Sequence, residues 1–155
     1  MSSAASDSGE GRECIFCLKS AEDRDRENLI VARGKHCFAI LNLYPYTTGH
    51  LMIAPYAHGG SIEGLSEPVL TELMTLSQRA VKALREAFSP DGFNLGVNIS
   101  RVAGAGIIDH IHFHVVPRWD GDSNFMTVTA GTRVIPCSLE DVYLALEGRL
   151  LPATA

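Results

Sequence analysis

His110-Ile111-His112-Phe113-His114-Val115-Val116 places a histidine at every second position, with apolar residues between and after them. Alternate side chains of an extended strand share a face. The spacing predicts a strand over residues 107–116, ending at Pro117. His110, His112 and His114 would line one face, about 7 Å between successive rings, with Ile111, Phe113 and Val115 turned to a core. Three imidazoles are poor core material, because each carries polar nitrogens that need partners. The triplet admits three readings: solvated histidines on an edge strand, a three-histidine metal site, or a catalytic cluster built on neutral imidazole near pH 7.

The neighbouring segments read as a mixed architecture. Strand-like runs at 29–33 and 36–42 flank the turn Gly34-Lys35, a hairpin signal. After the loop Tyr44-Pro45-Tyr46-Thr47-Thr48-Gly49 comes a strand at 50–54, which makes an antiparallel meander. From Ser66 to Phe88, apolar residues recur at three- and four-residue spacing, which predicts one amphipathic helix with Pro68 in its first turn. A strand follows at 93–99, then a glycine-containing loop at 101–106. Ser138 and Asp141 resemble a capping box that opens a final helix through Leu150. Strands and helices mix without βαβ alternation, so the class is α+β.

The chain has 155 residues, a net charge of −5 and 13 basic residues in no cluster. That length suits one domain, expected over residues 13–152 behind a disordered lead-in at 1–12. The charge argues against a nucleic-acid polymer or an anionic membrane as partner, and no apolar stretch reaches the roughly 20 residues of a bilayer span. The lead-in lacks the basic and apolar regions of a signal peptide, so a reducing, cytoplasmic location is expected. Cys14 and Cys17 form a C-x-x-C pair, which serves as metal ligands or redox thiols. Cys37 and Cys137 read as small buried hydrophobes.

The triplet, followed by two apolar residues, resembles the signature of the histidine triad family of nucleotide hydrolases and transferases. Cys14-Ile15-Phe16-Cys17, Leu41-Asn42-Leu43-Tyr44-Pro45, Gly49-His50-Leu51-Met52-Ile53-Ala54-Pro55 and Pro117-Arg118 fall in that family's order. The stretch 31–55, Pro117-Arg118-Trp119 and 124–136 look most like its bacterial diadenosine tetraphosphate phosphorylase and hydrolase branch. The resemblance implies a HIT-like fold: an antiparallel sheet of about five strands with two helices, the sheet continuing across a homodimer.

It also implies roles. His112 would be the nucleophile that forms a nucleotidyl-histidine, and His114 would stabilise phosphate charge or assist the leaving group. Asn42 would meet the ribose hydroxyls, Asn98 the phosphate, and Gly104 and Gly106 would let backbone approach it. Cys14, Cys17, His58 and His110 would hold a structural zinc ion. The substrate class would be diadenosine polyphosphates, with phosphate or water as acceptor. The alternatives are an adenosine phosphoramidate hydrolase or a nucleotide-binding regulatory protein. One departure bears on the choice. Around Gly106, Ile107 and Ile108 the hydroxyl residue that aids amine leaving groups is absent, which favours polyphosphate leaving groups. His36 is read as a surface residue, His50 as structural, and Trp119 as a packing residue.

Overall fold

The computed structural model describes residues 14–123, 131 and 136–152. The expected lead-in at 1–12, and most of the 124–136 stretch that carries part of the branch resemblance, lie outside the described residues. Among those described, five strands form one antiparallel sheet: β1 (Ile30–Arg33), β2 (Cys37–Leu41), β3 (Leu51–Pro55), β4 (Gly92–Val97) and β5 (Phe113–Arg118). Their spatial order is β1-β2-β3-β5-β4. The helices are α1 (Ile15–Ala21), α2 (Asp25–Asn28), α3 (Glu67–Phe88) and α4 (Leu139–Leu146).

The period-two alternation of the strands sends their side chains to two different cores. Leu41, Leu51, Ile53 and Val115 pack with Leu73, Leu76, Ala80 and Leu84 of α3 and with Val142 and Leu146 of α4. The residues between them, Phe38, Ile40, Met52 and Ala54, pack on the opposite face around Phe16 of α1. Covered on both sides, β2 and β3 are buried along their whole length. A single carboxylate ties the first hairpin to α3: Glu72 Oε1 accepts from the backbone N–H of His36 and Cys37 at 2.9 and 3.0 Å.

Among the described residues, four α-helices stand where two are expected. Helix α1 has seven residues and no side-chain cap at Cys14, and α2 has four. Neither is long enough for a helical period to show in the sequence. Helix α3 begins one residue after Ser66, as expected, and α4 stops at Leu146 rather than Leu150. The cap on α4 is present: the Asp141 N–H donates to Ser138 Oγ at 3.1 Å.

The triad strand also differs from expectation, in two ways. It starts at Phe113, not at residue 107. Ahead of it the Ile111 N–H donates to Gly59 O at 2.7 Å, and the Pro55 carbonyl at the end of β3 is taken by the His110 ring. The chain therefore leaves the ladder, and His110 and His112 precede the strand. At its other end β5 runs through Pro117 to Arg118. Pairing with β3 stops at Leu51 and Val115, so Pro117, which has no N–H, sits where β3 requires no donor.

Gly49 sets the entry to β3. Its φ is +82°, and an added Cβ would stand 2.7 Å from Leu84 Cδ2 in the main core. The Gly49→Ala variant is expected to lose about 2 kcal/mol of stability, more than a left-handed backbone alone costs, and chemical denaturation measures this directly.

Candidate functional site

The triad side chains stand at the edge of the α1-side core. His112 is 6% exposed, and its Nδ1 lies 2.8 Å from the His110 carbonyl. A carbonyl only accepts, so Nδ1 carries the proton and the Nε2 lone pair is left free. Burial lowers the basicity of this ring, with the carbonyl acting against it. A neutral imidazole with one unengaged nitrogen is a nucleophile that needs no prior deprotonation.

The same reasoning orients His110. Its Nε2 donates to Pro55 O at 2.8 Å, which leaves the Nδ1 lone pair facing Cys14 Sγ at 3.3 Å and Cys17 Sγ at 3.5 Å. His58 Nδ1 lies 3.4 Å from Cys17 Sγ. All four ligand atoms fall within 4.8 Å of one another and can hold a metal ion. A tetrahedral site with arms of about 2.0–2.3 Å has edges of about 3.3–3.8 Å, so the sulfur–nitrogen distances fit that geometry. The four residues expected from the resemblance are therefore brought together, and the lone pair of His110 points inward.

His114 has a partner in His50, a residue whose sequence context gives it only a structural role. His50 is 1% exposed, and its Nε2 lies 2.8 Å from His114 Nδ1. The His50 Nδ1 accepts the Tyr46 N–H at 3.1 Å, so the His50 proton sits on Nε2 and is donated to His114. His114 then keeps its own proton on Nε2. Burial, followed by the nearby His112, pushes its pKa down to about 4. The outcome is complementary: His112 presents a lone pair and His114 presents an N–H, with ring centroids 4.9 Å apart. Pairing across the β3–β5 ladder sets Met52 opposite His114, which puts His50, two residues earlier, close to the same ring. The expected 7 Å spacing of a regular strand does not hold, because the chain curls at His110–His112.

A cavity of about 320 Å³ opens over these rings. It is lined by Asn42, Asn98, Gly104, Gly106, His112 and His114, with Ile15, Phe16 and Lys19 of α1 along one side. The candidate nucleotide residues therefore share one cavity. Asn42 is held by the chain itself: its Oδ1 accepts the Tyr44 N–H at 2.9 Å, and its N–H donates to His50 O at 3.0 Å. Phe16 lies against both His110 and His112, with centroids 5.1 and 4.9 Å apart. Phe16 carries no role in the sequence pattern alone, although its place between Cys14 and Cys17 is a signal. Cys37, pushed up to about 12 by burial, is an inert thiol as expected.

The HIT domain family model matches residues 24–121. A protein named AP-4-A phosphorylase from Mycobacterium tuberculosis (strain ATCC 25618 / H37Rv) is 47% identical over 117 residues, 76% of this chain and 60% of that protein. The chain thus spans about 60% of the length of that curated relative. An adenosine 5'-monophosphoramidase from Saccharomyces cerevisiae is 30% identical over 73% of this chain and 67% of its own. A Zn-bound histidine triad family protein from Mycobacterium smegmatis shares the fold at TM-score 0.70 and 28% identity, covering 89% of this chain and 93% of that one.

The lowered pKa of His114 has a signed consequence for stability. Between about 4 and its ordinary value of 6.5, the unfolded state binds a proton that the folded state refuses, so stability rises with pH in that window. Stability is expected to fall on acidification from pH 6.5 towards 4, and His114→Asn is expected to flatten part of that slope in melting curves taken across the range.

Proposed function

Because this chain belongs to the HIT domain family, we propose that it cleaves dinucleoside polyphosphates such as diadenosine tetraphosphate. Cleavage falls at an α-phosphate, through a nucleotidyl-histidine intermediate, with inorganic phosphate or water as acceptor. The observation that carries this reading is the His110 carbonyl on His112 Nδ1, which frees Nε2 beside the cavity. In the first step the Nε2 lone pair forms a bond to the α-phosphorus. The bond to the bridging oxygen breaks, and the leaving nucleoside polyphosphate keeps the electron pair. The His114 Nε2–H hydrogen-bonds the developing oxygen charge, while the His110 carbonyl stabilises the positive ring of the intermediate. In the second step an oxygen of phosphate or water bonds to phosphorus, the P–Nε2 bond breaks with its electron pair returning to Nε2, and an attacking water releases its proton to solvent, which restores neutral His112. Such transfers depend mainly on positioning and charge stabilisation.

Asn42 serves the ribose hydroxyls, offering both a donor and an acceptor, and Asn98, Gly104 and Gly106 serve the phosphates. The identity to a protein named AP-4-A phosphorylase supports this substrate class. The isoleucines at 107 and 108 offer no hydroxyl to an amine leaving group, which favours it over phosphoramidates.

The reading assigns zinc to Cys14, Cys17, His58 and His110. Two thiolates and two imidazoles form a closed structural set, and the similar Mycobacterium smegmatis structure is described as Zn-bound. Bound there, zinc supplies no open position for water and joins α1 to the triad. One HIT domain over residues 13–152, a homodimer, and a reducing compartment such as the cytoplasm complete the proposal. The exposed edge strand β4 supports the dimer, and four free cysteines support the compartment. Among the described residues, no helix is long and apolar enough to cross a membrane.

His112→Ala is expected to lower turnover of diadenosine tetraphosphate by about a thousandfold or more. In the wild type, ADP formed only when phosphate is present identifies phosphorolysis, and AMP with ATP identifies hydrolysis. For the metal, protein purified from zinc-replete medium is expected to hold one zinc per chain by elemental analysis. Cys14→Ser with Cys17→Ser is expected to lose the metal and lower the melting temperature.

A further inference from the structure

The cavity over the triad holds a single permanent charge. Among its described lining residues Lys19 is the one Lys or Arg, and there is no Asp or Glu. A largely apolar cavity takes its specificity from the few polar groups placed in it. Lys19 is half-buried, and its ammonium has no hydrogen-bond or ion-pair partner among the described residues. Its backbone, by contrast, is fixed at the end of α1. The Lys19 carbonyl accepts the Glu22 N–H at 3.3 Å and an N–H of Asn28 Nδ2 at 3.4 Å. An anchored helix position thus presents an unused donor to the cavity.

The course of α1 decides what that donor meets. The helix starts beside His110, where Cys14 Sγ lies 3.3 Å from the ring. Phe16 lies on His112 with centroids 4.9 Å apart. Lys19 is three residues beyond Phe16, about 4.5 Å further along the helix axis, and shares a helix face with Ile15. With the phosphates at Asn98, Gly104 and Gly106 and the ribose at Asn42, the wall that contains Ile15, Lys19, Ile40 and Leu43 is left for the base. Aliphatic side chains suit the flat faces of a base, and its edge needs a polar partner. An ammonium donates and cannot accept. Adenine and guanine both present the N7 acceptor, guanine adds the O6 acceptor beside it, and cytosine presents an amino donor on the corresponding edge.

Resting on the dinucleoside polyphosphate reading, we propose that Lys19 is the specificity residue for the transferred nucleoside, donating to N7 of a purine and to O6 as well when the base is guanine. The site therefore takes guanosine at least as tightly as adenosine. Dinucleoside polyphosphates that carry guanosine are then substrates alongside diadenosine tetraphosphate.

The test removes the acceptor and the donor separately. AMP, 7-deaza-AMP (in which a C–H replaces N7) and GMP are titrated by calorimetry into His112→Ala protein with Lys19 intact, and into the same protein carrying Lys19→Met, which keeps an apolar stem and loses the ammonium. With Lys19 intact, 7-deaza-AMP is expected to bind about tenfold more weakly than AMP, the scale of one hydrogen bond to a charged group, and GMP at least as tightly as AMP. In Lys19→Met the two adenine nucleotides are expected to bind within twofold of each other. A structural role for Lys19, or a contact with phosphate, weakens all three nucleotides alike and leaves their ratios unchanged, which overturns the proposal. Equal binding of AMP and 7-deaza-AMP with Lys19 intact, or GMP weaker than AMP, overturns it as well. Turnover of diadenosine tetraphosphate with His112 intact is measured separately. Turnover without an N7 effect sinks the Lys19 assignment and leaves the catalytic reading standing. An N7 effect that Lys19→Met abolishes, in a protein without turnover, keeps the assignment and sinks the catalytic reading. Absence of binding by all three nucleotides with Lys19 intact overturns both.

Discussion

One hydrogen bond governs the chemistry of this site: the His110 carbonyl on the Nδ1–H of His112, at 2.8 Å. It holds the tautomer in which Nε2 is bare, and it fixes the ring through backbone rather than through a mobile side chain. Its geometry exists because the chain does not continue as a strand through the triad. The Ile111 N–H is satisfied by Gly59, and the His110 ring is satisfied by Pro55. The carbonyl between them is therefore turned towards His112. Each part of the triad is oriented by a backbone group: His110 by Pro55, His112 by His110, and His114 through His50 by Tyr46. Backbone groups carry little conformational freedom once the sheet has formed, so the three rings cost little further entropy to hold in place.

Helix α1 gives these orientations their cover. Phe16 closes over two of the rings, which helps account for the burial that keeps them neutral. Its neighbours Ile15 and Lys19 shape the adjoining cavity. The helix has only seven residues, too few to be stable by itself. Its position rests on the packing of Phe16 with Phe38 and Met52 and on the two cysteines at its start.

Much of this was legible in the sequence because it is written in local patterns. The long apolar stripe of α3, the hairpin at Gly34, the cap at Ser138 and the triplet itself each lie within a few residues, where periodicity and turn chemistry act. Motif order picked out the four candidate metal ligands and the candidate nucleotide residues, and the fold brings each group together. What was not legible depends on residues far apart in the chain. His50 meets His114 across 64 positions, and a single histidine after a glycine gives no local sign of that. Likewise the triad reads as an alternating strand, and only the capture of the Pro55 carbonyl by the His110 ring reveals why the strand starts at Phe113 rather than at residue 107. Helix α1 escaped notice because a seven-residue segment shows no period.

The strand order β1-β2-β3-β5-β4 divides the sheet into two pieces that are each local in sequence, a meander of β1, β2 and β3 and a hairpin of β4 and β5, with α3 between them. They join along one seam of three residue pairs, Leu51–Val115, Met52–His114 and Ile53–Phe113. The bond from His50 to His114 crosses that seam, as does the bond from Pro55 to His110. Neither half carries a working site, and closing the seam requires the long loop through α3 to be drawn shut, the slowest kind of contact to form. The candidate site is therefore assembled only as the two halves dock. Under the proposed function, gain of activity during refolding would be a clock for that last event, and not for the earlier appearance of helix or hairpin.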